Sequence, residues 1–220
     1  MAGAKTLSFA QICLDLSCLL IIIFSYFNKV FTYMNDYTVR ILKITYEFTD
    51  PQTKLDAFVT CYYDDFNNYF CDKQPNIEGM TEICDNLDNF KSAGIVYIVI
   101  SSFAMITIIM SIIHIVARLF EAEKSILLFH YYHLIYPCIL GIATACYLGI
   151  TEIFTLSPPK DKDNDQVSPQ IGIAAIFLAQ VLSLISMGFY YLTRKKVLKA
   201  IKVSDAKPLK NDHDEDIPQE

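Results

Sequence analysis

The sequence predicts a membrane α-helical protein: a left-handed four-transmembrane-helix bundle with a small extracellular β-sheet in its first outer loop. Three observations predict it. Hydrophobic residues make up 53% of the 220-residue chain, with mean hydropathy +0.33, and they gather in four blocks. Basic residues collect at those block ends that would share one side. A polar, acidic stretch of about sixty residues separates the first two blocks and carries the apolar–polar alternation of a strand.

The blocks are residues 7–27, 93–117, 126–150 and 170–192, each 21 to 25 residues long. A helix rising ~1.5 Å per residue crosses a hydrocarbon core of ~30 Å at this length. A chain in lipid must satisfy its own backbone polar groups, so each block reads as a helix. The first follows Lys5 as a signal peptide would, but it is longer than a typical signal core and no Ala-x-Ala pattern follows Phe27. It reads as a retained span. Residues 1–200 then form one four-span domain. Residues 201–220 mix charges with prolines, lack apolar periodicity and read as a disordered tail.

Orientation follows from charge. Arg194, Lys195, Lys196, Lys199 and Lys202 follow the fourth span, Lys5 precedes the first, and Arg118 and Lys124 lie between the second and third. The positive-inside rule places both termini and the 118–125 loop in the cytoplasm. The first loop (31–92) and the second (153–169) are then outside, where Cys61, Cys71 and Cys84 meet an oxidising environment.

Within the bundle, the short inner loop makes spans two and three an antiparallel hairpin. Gly141, Ala145 and Gly149 form a small-residue stripe on span three; Ala175, Ala179 and Ser183 form one on span four. Both suit close helix packing, and Gln180 suits an interhelical hydrogen bond. Asp15, His114, His130 and His133 sit at similar depth near the inner side. They are donor types for a metal site or proton relay. Tyr131, Tyr132 and Tyr136 support an interfacial reading instead, as an aromatic belt around the His pair. No metal ligand, catalytic residue or cofactor is assigned. The chain has no phosphate-binding loop, no Gly-x-Ser-x-Gly and no Cys-x-x-Cys, so an enzyme is not expected. It lacks the basic surface of a nucleic-acid binder.

The first outer loop is the informative one. Residues 37–49 are rich in Thr, Val, Ile, Tyr and Phe and favour strand. Asp50-Pro51 suits a turn. Alternation from Leu55 to Tyr63 predicts a second strand. Turn chemistry at 64–68 folds the chain back at Phe66 and brings Cys61 opposite Cys71, the preferred disulfide among three possible pairings. Ile77, Met80, Cys84 and Leu87 then fall at helical spacing, predicting a short amphipathic helix before span two with Cys84 as a buried thiol. An intermolecular Cys84 disulfide is the other reading.

Four spans, a long first loop, a short second one and a Cys pair ten positions apart resemble the claudin-like four-transmembrane superfamily. That family carries Gly-Leu-Trp-x-x-Cys and a second Cys eight to ten residues on. Asp56-Ala57-Phe58-Val59-Thr60-Cys61 and Cys71 stand at those positions, with Phe58 in place of the Trp, and Tyr37 falls near an upstream family Trp. The chain has no Trp, and its C-terminal residues, 216–220, lack the apolar end that many claudins offer to scaffolds. The resemblance implies a small outer sheet, a short helix before span two, and a plasma-membrane or cell-junction location. It also implies like or related four-span partners in cis or trans. Residues 31–92 hold eleven acidic and five basic residues. The resemblance would make Asp64, Asp65 and Asp72 cation-attracting in a paracellular pathway, and the field argument has the same sign. A solvating role in a turn competes with that. The functional expectation is cell–cell contact, a barrier or a cation path. The alternatives are an auxiliary subunit of a channel or receptor and, more remotely, an intramembrane metal or redox protein built on Asp15, His114, His130 and His133.

Overall fold

A computed structural model describes residues 2–33, 37–49, 56–72, 80–120, 131–151 and 168–205. In chain order its elements are α1 (Ala2–Phe27), β1 (Lys29–Tyr33), β2 (Tyr37–Arg40), β3 (Lys43–Thr49), β4 (Asp56–Tyr62), α2 (Tyr63–Phe66), a π-helical turn (Asn67–Cys71), α3 (Met80–Phe120), α4 (Tyr132–Thr151), β5 (Ser168–Pro169) and α5 (Ile171–Asp205). Four helical segments are long and apolar enough to cross a membrane: Thr6–Phe27, Ile83–Ala117, Tyr132–Thr151 and Ile171–Lys196. Residues 126–130 of the expected third span and 206–220 of the expected tail lie outside the described residues; residues 201–205, expected as the start of a disordered tail, continue α5 as helix.

Each helix packs on the next around the bundle: α1 on α3, α3 on α4, α4 on α5 and α5 on α1. The faces turned outward are apolar, with Leu20, Phe24, Val99, Phe103, Leu178 and Val181 among the exposed side chains. A helix apolar on all sides needs an apolar solvent around its outer face. Ala175, Ala179 and Ser183 are buried, so the expected α5 stripe is an interface. The α4 stripe is different. Gly141 lies against Gln180, but Ala145 and Gly149 face outward. The α4 contact face is set instead by Tyr136, Leu140, Ala143 and Tyr147, of which the two tyrosines and the leucine bury more apolar surface than the stripe residues could.

The expected amphipathic helix and second span are one element. α3 has 41 residues, about 62 Å of helix, so it extends well past a hydrocarbon core of ~30 Å. Ile83, Leu87, Phe90, Ala93 and Tyr97 continue one buried stripe across the expected break; no Pro interrupts it, and the helix runs through Gly94 without a break.

The sheet caps one end of the bundle, because both of its chain segments join helix ends on that side. Its order is β4-β3-β2-β1-β5, antiparallel throughout. β5 comes from the expected second outer loop and pairs with β1 through Phe31↔Pro169 and Thr32↔Ser168. Residues 37–49 are two strands rather than one. The chain reverses at Ile41–Leu42, with Val39 paired to Ile44. These two residues have no turn chemistry; Ile41 is held by burial over α3. A methyl group on Gly94 would overlap the Ile41 carbonyl oxygen, and one on Gly172 would lie 2.6 Å from the Lys29 carbonyl oxygen. Two glycines therefore let strand backbone rest directly on helices α3 and α5. Val30, Phe31, Tyr37, Val39, Ile41 and Ile44 of the sheet share one core with Phe66, Phe90, Tyr97 and Tyr147.

The expected disulfide is corrected. Cys71 is bonded to Cys84, with Cα atoms 5.7 Å apart, and Cys61 is a free thiol. The reason is local. After β4 the chain does not fold back as a strand but coils through α2 and the π-helical turn, so Cys71 meets α3. Cys61 instead pairs with Ile44 in the β3–β4 ladder. Cys84 is consequently neither a buried thiol nor an intermolecular partner, the two states expected from its spacing. The Asp50-Pro51 turn lies outside the described residues.

Candidate functional site

Two features stand out chemically: a polar network inside the bundle and the outer face of the sheet. The network follows from helical spacing. Gln11, Asp15 and Cys18 lie on one face of α1; Ser111 and His114 are one turn apart on α3; His133 and Tyr136 are one turn apart on α4; Ser183, Ser186 and Tyr190 share a face of α5. Bundle packing turns these faces together, and every one of these side chains is buried.

Asp15 is fully buried and accepts three hydroxyl hydrogen bonds. Ser111 Oγ donates to Oδ2 at 2.9 Å, Tyr136 Oη to Oδ1 at 2.8 Å and Ser186 Oγ to Oδ1 at 2.5 Å. Among the described residues, no Lys or Arg side chain pairs with it. Ser111 Oγ also lies 2.6 Å from His133 Nδ1. Gln11 Nε2 is 3.2 Å from the same nitrogen, and His133 Nε2 is 3.3 Å from His114 Nδ1. The His133 ring stacks on Tyr190 with centroids 4.1 Å apart. Buried polar groups in an apolar medium are costly unless fully bonded, and this arrangement satisfies the carboxyl group from three helices.

Three of the four expected polar residues, Asp15, His114 and His133, do come together; His130 lies outside the described residues. Tyr136 is not part of an interfacial belt. It points inward and donates to Asp15, whereas Tyr131 is exposed. Ser111, Ser186, Gln11 and Tyr190 carry no signal in the sequence beyond their helical register. Among the described residues, no group of three or more His, Cys, Asp or Glu side chains is placed to hold a metal ion. Gln180 makes the expected interhelical bond, donating from Nε2 to the Pro137 carbonyl at 3.2 Å.

The outer surface is built by β4, an edge strand, and by the helical turns after it. Phe58 is 72% exposed, and Val59, Tyr62 and Tyr69 are also exposed. An edge strand offers unpaired N–H and C=O groups, and here it adds aromatic surface. Asp64, Asp65 and Asp72 are all exposed. Asp64 Oδ1 bonds Lys91 Nζ at 2.5 Å, so its charge is compensated. Lys43 Nζ sits 4.7 Å over the Tyr62 ring. Tyr63 is buried beneath the surface and donates to the Arg40 carbonyl at 2.5 Å; burial and the nearby Tyr147 push its phenol well above the ordinary range. Burial and the Asp65 charge likewise raise the Cys61 thiol.

The class these features define is a bundle of four membrane-length helices capped by a small antiparallel sheet. No protein-family model matches the sequence, and no curated protein matches it.

Proposed function

We propose that the chain is a plasma-membrane protein of the claudin-like superfamily that mediates cell–cell contact through its sheet. In this reading the sheet is extracellular and both termini are cytoplasmic. The helices wind as a left-handed bundle in the lipid bilayer. The basic residues around Lys195 and Lys196 support the orientation. The observation that carries the contact reading is the β4 edge, unpaired among the described residues, with Phe58 exposed on it at the position where the superfamily motif has its aromatic residue. The partner is a second copy or a related four-span protein, in cis or in trans at a cell junction. Exposed aromatic side chains next to an open strand edge are the type of surface that anchors a protein interface.

The proposal includes a selective cation pathway along the same surface. Among the described residues Asp65 and Asp72 pair with no basic side chain and can attract cations, whereas Asp64 is paired with Lys91. An auxiliary role beside a channel or receptor would use the same β4 edge.

The test is expression in non-adherent cells. The contact reading expects aggregation or continuous strands at cell contacts, lost on Phe58→Glu while surface expression and folding persist. Diffuse surface localisation with one large co-purifying partner would replace it with the auxiliary-subunit reading. For the pathway, Asp65→Asn and Asp72→Asn should lower cation over anion permeability across a cell layer. Unchanged selectivity returns both residues to a solvating role.

A further inference from the structure

Ser111 has one hydroxyl hydrogen and two neighbours at hydrogen-bond distance, Asp15 Oδ2 at 2.9 Å and His133 Nδ1 at 2.6 Å. It can donate to only one. The other contact needs a proton from the neighbour. Either Asp15 is protonated and donates to Ser111 Oγ while Ser111 donates to His133 Nδ1, or His133 donates from Nδ1 while Ser111 donates to the Asp15 carboxylate. If His133 is doubly protonated in the second arrangement, the two have the same net charge. They interconvert by two hops. The Asp15 O–H bond breaks as its proton forms a new bond to Ser111 Oγ; the Ser111 proton leaves for His133 Nδ1. Gln11, 3.2 Å from that nitrogen, turns its amide to follow. The imidazolium then has an Nε2–H 3.3 Å from His114 Nδ1.

The geometry points to Asp15, Ser111, His133 and His114 as a proton-binding site inside the bundle, holding one exchangeable proton and connected to the end opposite the sheet. Direction comes from position. Asp15 is nine residues inside the Thr6 end of its apolar helical segment, whereas His114 is three residues from the Ala117 end of its own. The titratable groups facing the site are Asp15 and Cys18 from α1, His114 from α3, His133 and Tyr136 from α4, and Tyr190 from α5. With one shared proton, the Asp15–His133 pair is neutral. Gaining or losing a proton leaves net charge among four apolar helices, so bundle packing follows pH. This inference does not depend on the contact role of the sheet.

The test is pH-difference infrared spectroscopy of the full chain in liposomes. The wild type is expected to show a protonated-carboxyl band that titrates while the protein stays folded. Asp15→Asn removes this band from the difference spectrum. His133→Gln moves its midpoint by about one pH unit or more, the scale on which two sites titrate as a pair. Should Asp15→Asn fail to fold, Ser111→Ala assigns the band by shifting its frequency, because it removes a hydrogen-bond partner of the carboxyl group. The assignment is overturned by a missing Asp15 band, by one that is constant across the folded pH range, or by a midpoint that His133→Gln leaves in place.

Discussion

Tyr136 on α4 donates its hydroxyl hydrogen to Asp15 on α1 across 2.8 Å, joining residues 121 positions apart in the chain. Tyr136→Phe keeps the ring in the Cys18, Ala104 and Leu140 core and removes this bond together with the longer contact to the Ser183 carbonyl at 3.5 Å. Hydrogen bonds between membrane helices average less than those to charged groups in soluble proteins, because the dissociated helices find other partners. The expected loss is about 1 kcal/mol. Thermal unfolding in detergent checks it; an unchanged midpoint would mean that Tyr136 contributes by packing alone.

Gly94 and Gly149 make a matched pair. A side chain at Gly94 meets the Ile41 carbonyl oxygen, which is backbone and cannot swing away, while a side chain at Gly149 meets nothing within 4 Å. Gly94→Ala should therefore cost roughly 1–3 kcal/mol, as overpacking does, and loosen the sheet from α3. Gly149→Ala should stay within about 0.5 kcal/mol of the wild type. Hydrogen exchange at β2 and β3 separates the two, with faster exchange expected only in the Gly94 variant.

The Cys71–Cys84 bond closes a loop with a sequence separation of 13. For a loop of this size, the chain-entropy account gives about 3 kcal/mol of stabilisation. Cys71→Ala and Cys84→Ala should each lose that amount, and the double variant should lose no more. Non-reducing peptide mapping should recover these two cysteines linked and Cys61 alkylated. A Cys61 linkage in the map would restore the hairpin disulfide.

Alkaline pH should destabilise the sheet through Tyr63. Its phenol, ordinarily near 10.0, is raised by burial, so the unfolded chain ionises before the folded one. The stabilisation is complete below the ordinary value and is lost as pH climbs above it. The free Cys61 thiol, raised from 9.0, adds in the same direction. Tyr63→Phe should make the alkaline fall in unfolding midpoint shallower. It should also cost about 1 kcal/mol at neutral pH through the lost bond to Arg40. A curve parallel to the wild type would remove Tyr63 from the account.

The parts of the fold legible in the sequence are those set by local periodicity. β4 is legible because residues 55–63 alternate, and α5 shows its contact face in Ala175, Ala179 and Ser183. The turn at Ile41–Leu42 is not legible, because burial over Gly94 replaces turn chemistry. Neither is β5, whose two residues are strand only because β1 lies beside them. The site divides in the same way. Asp15 and the histidines are conspicuous as polar residues in apolar spans, but Ser111 and Ser186 are ordinary in a helix until packing brings them within 2.9 Å and 2.5 Å of a carboxyl group.

By itself, the sequence determined four membrane-length helices, a polar segment with a strand before span two, and a set of polar residues toward one end of the spans. Those are properties of composition and of spacing along a single chain, which hydropathy and helical period report directly. Only the tertiary structure decided that Cys71 bonds Cys84, that both loops join one sheet, and that Asp15 reaches His114 through Ser111 and His133. Each of these depends on the rotation of one element against another, which is set by side-chain volume and backbone approach at the contact rather than by either element alone.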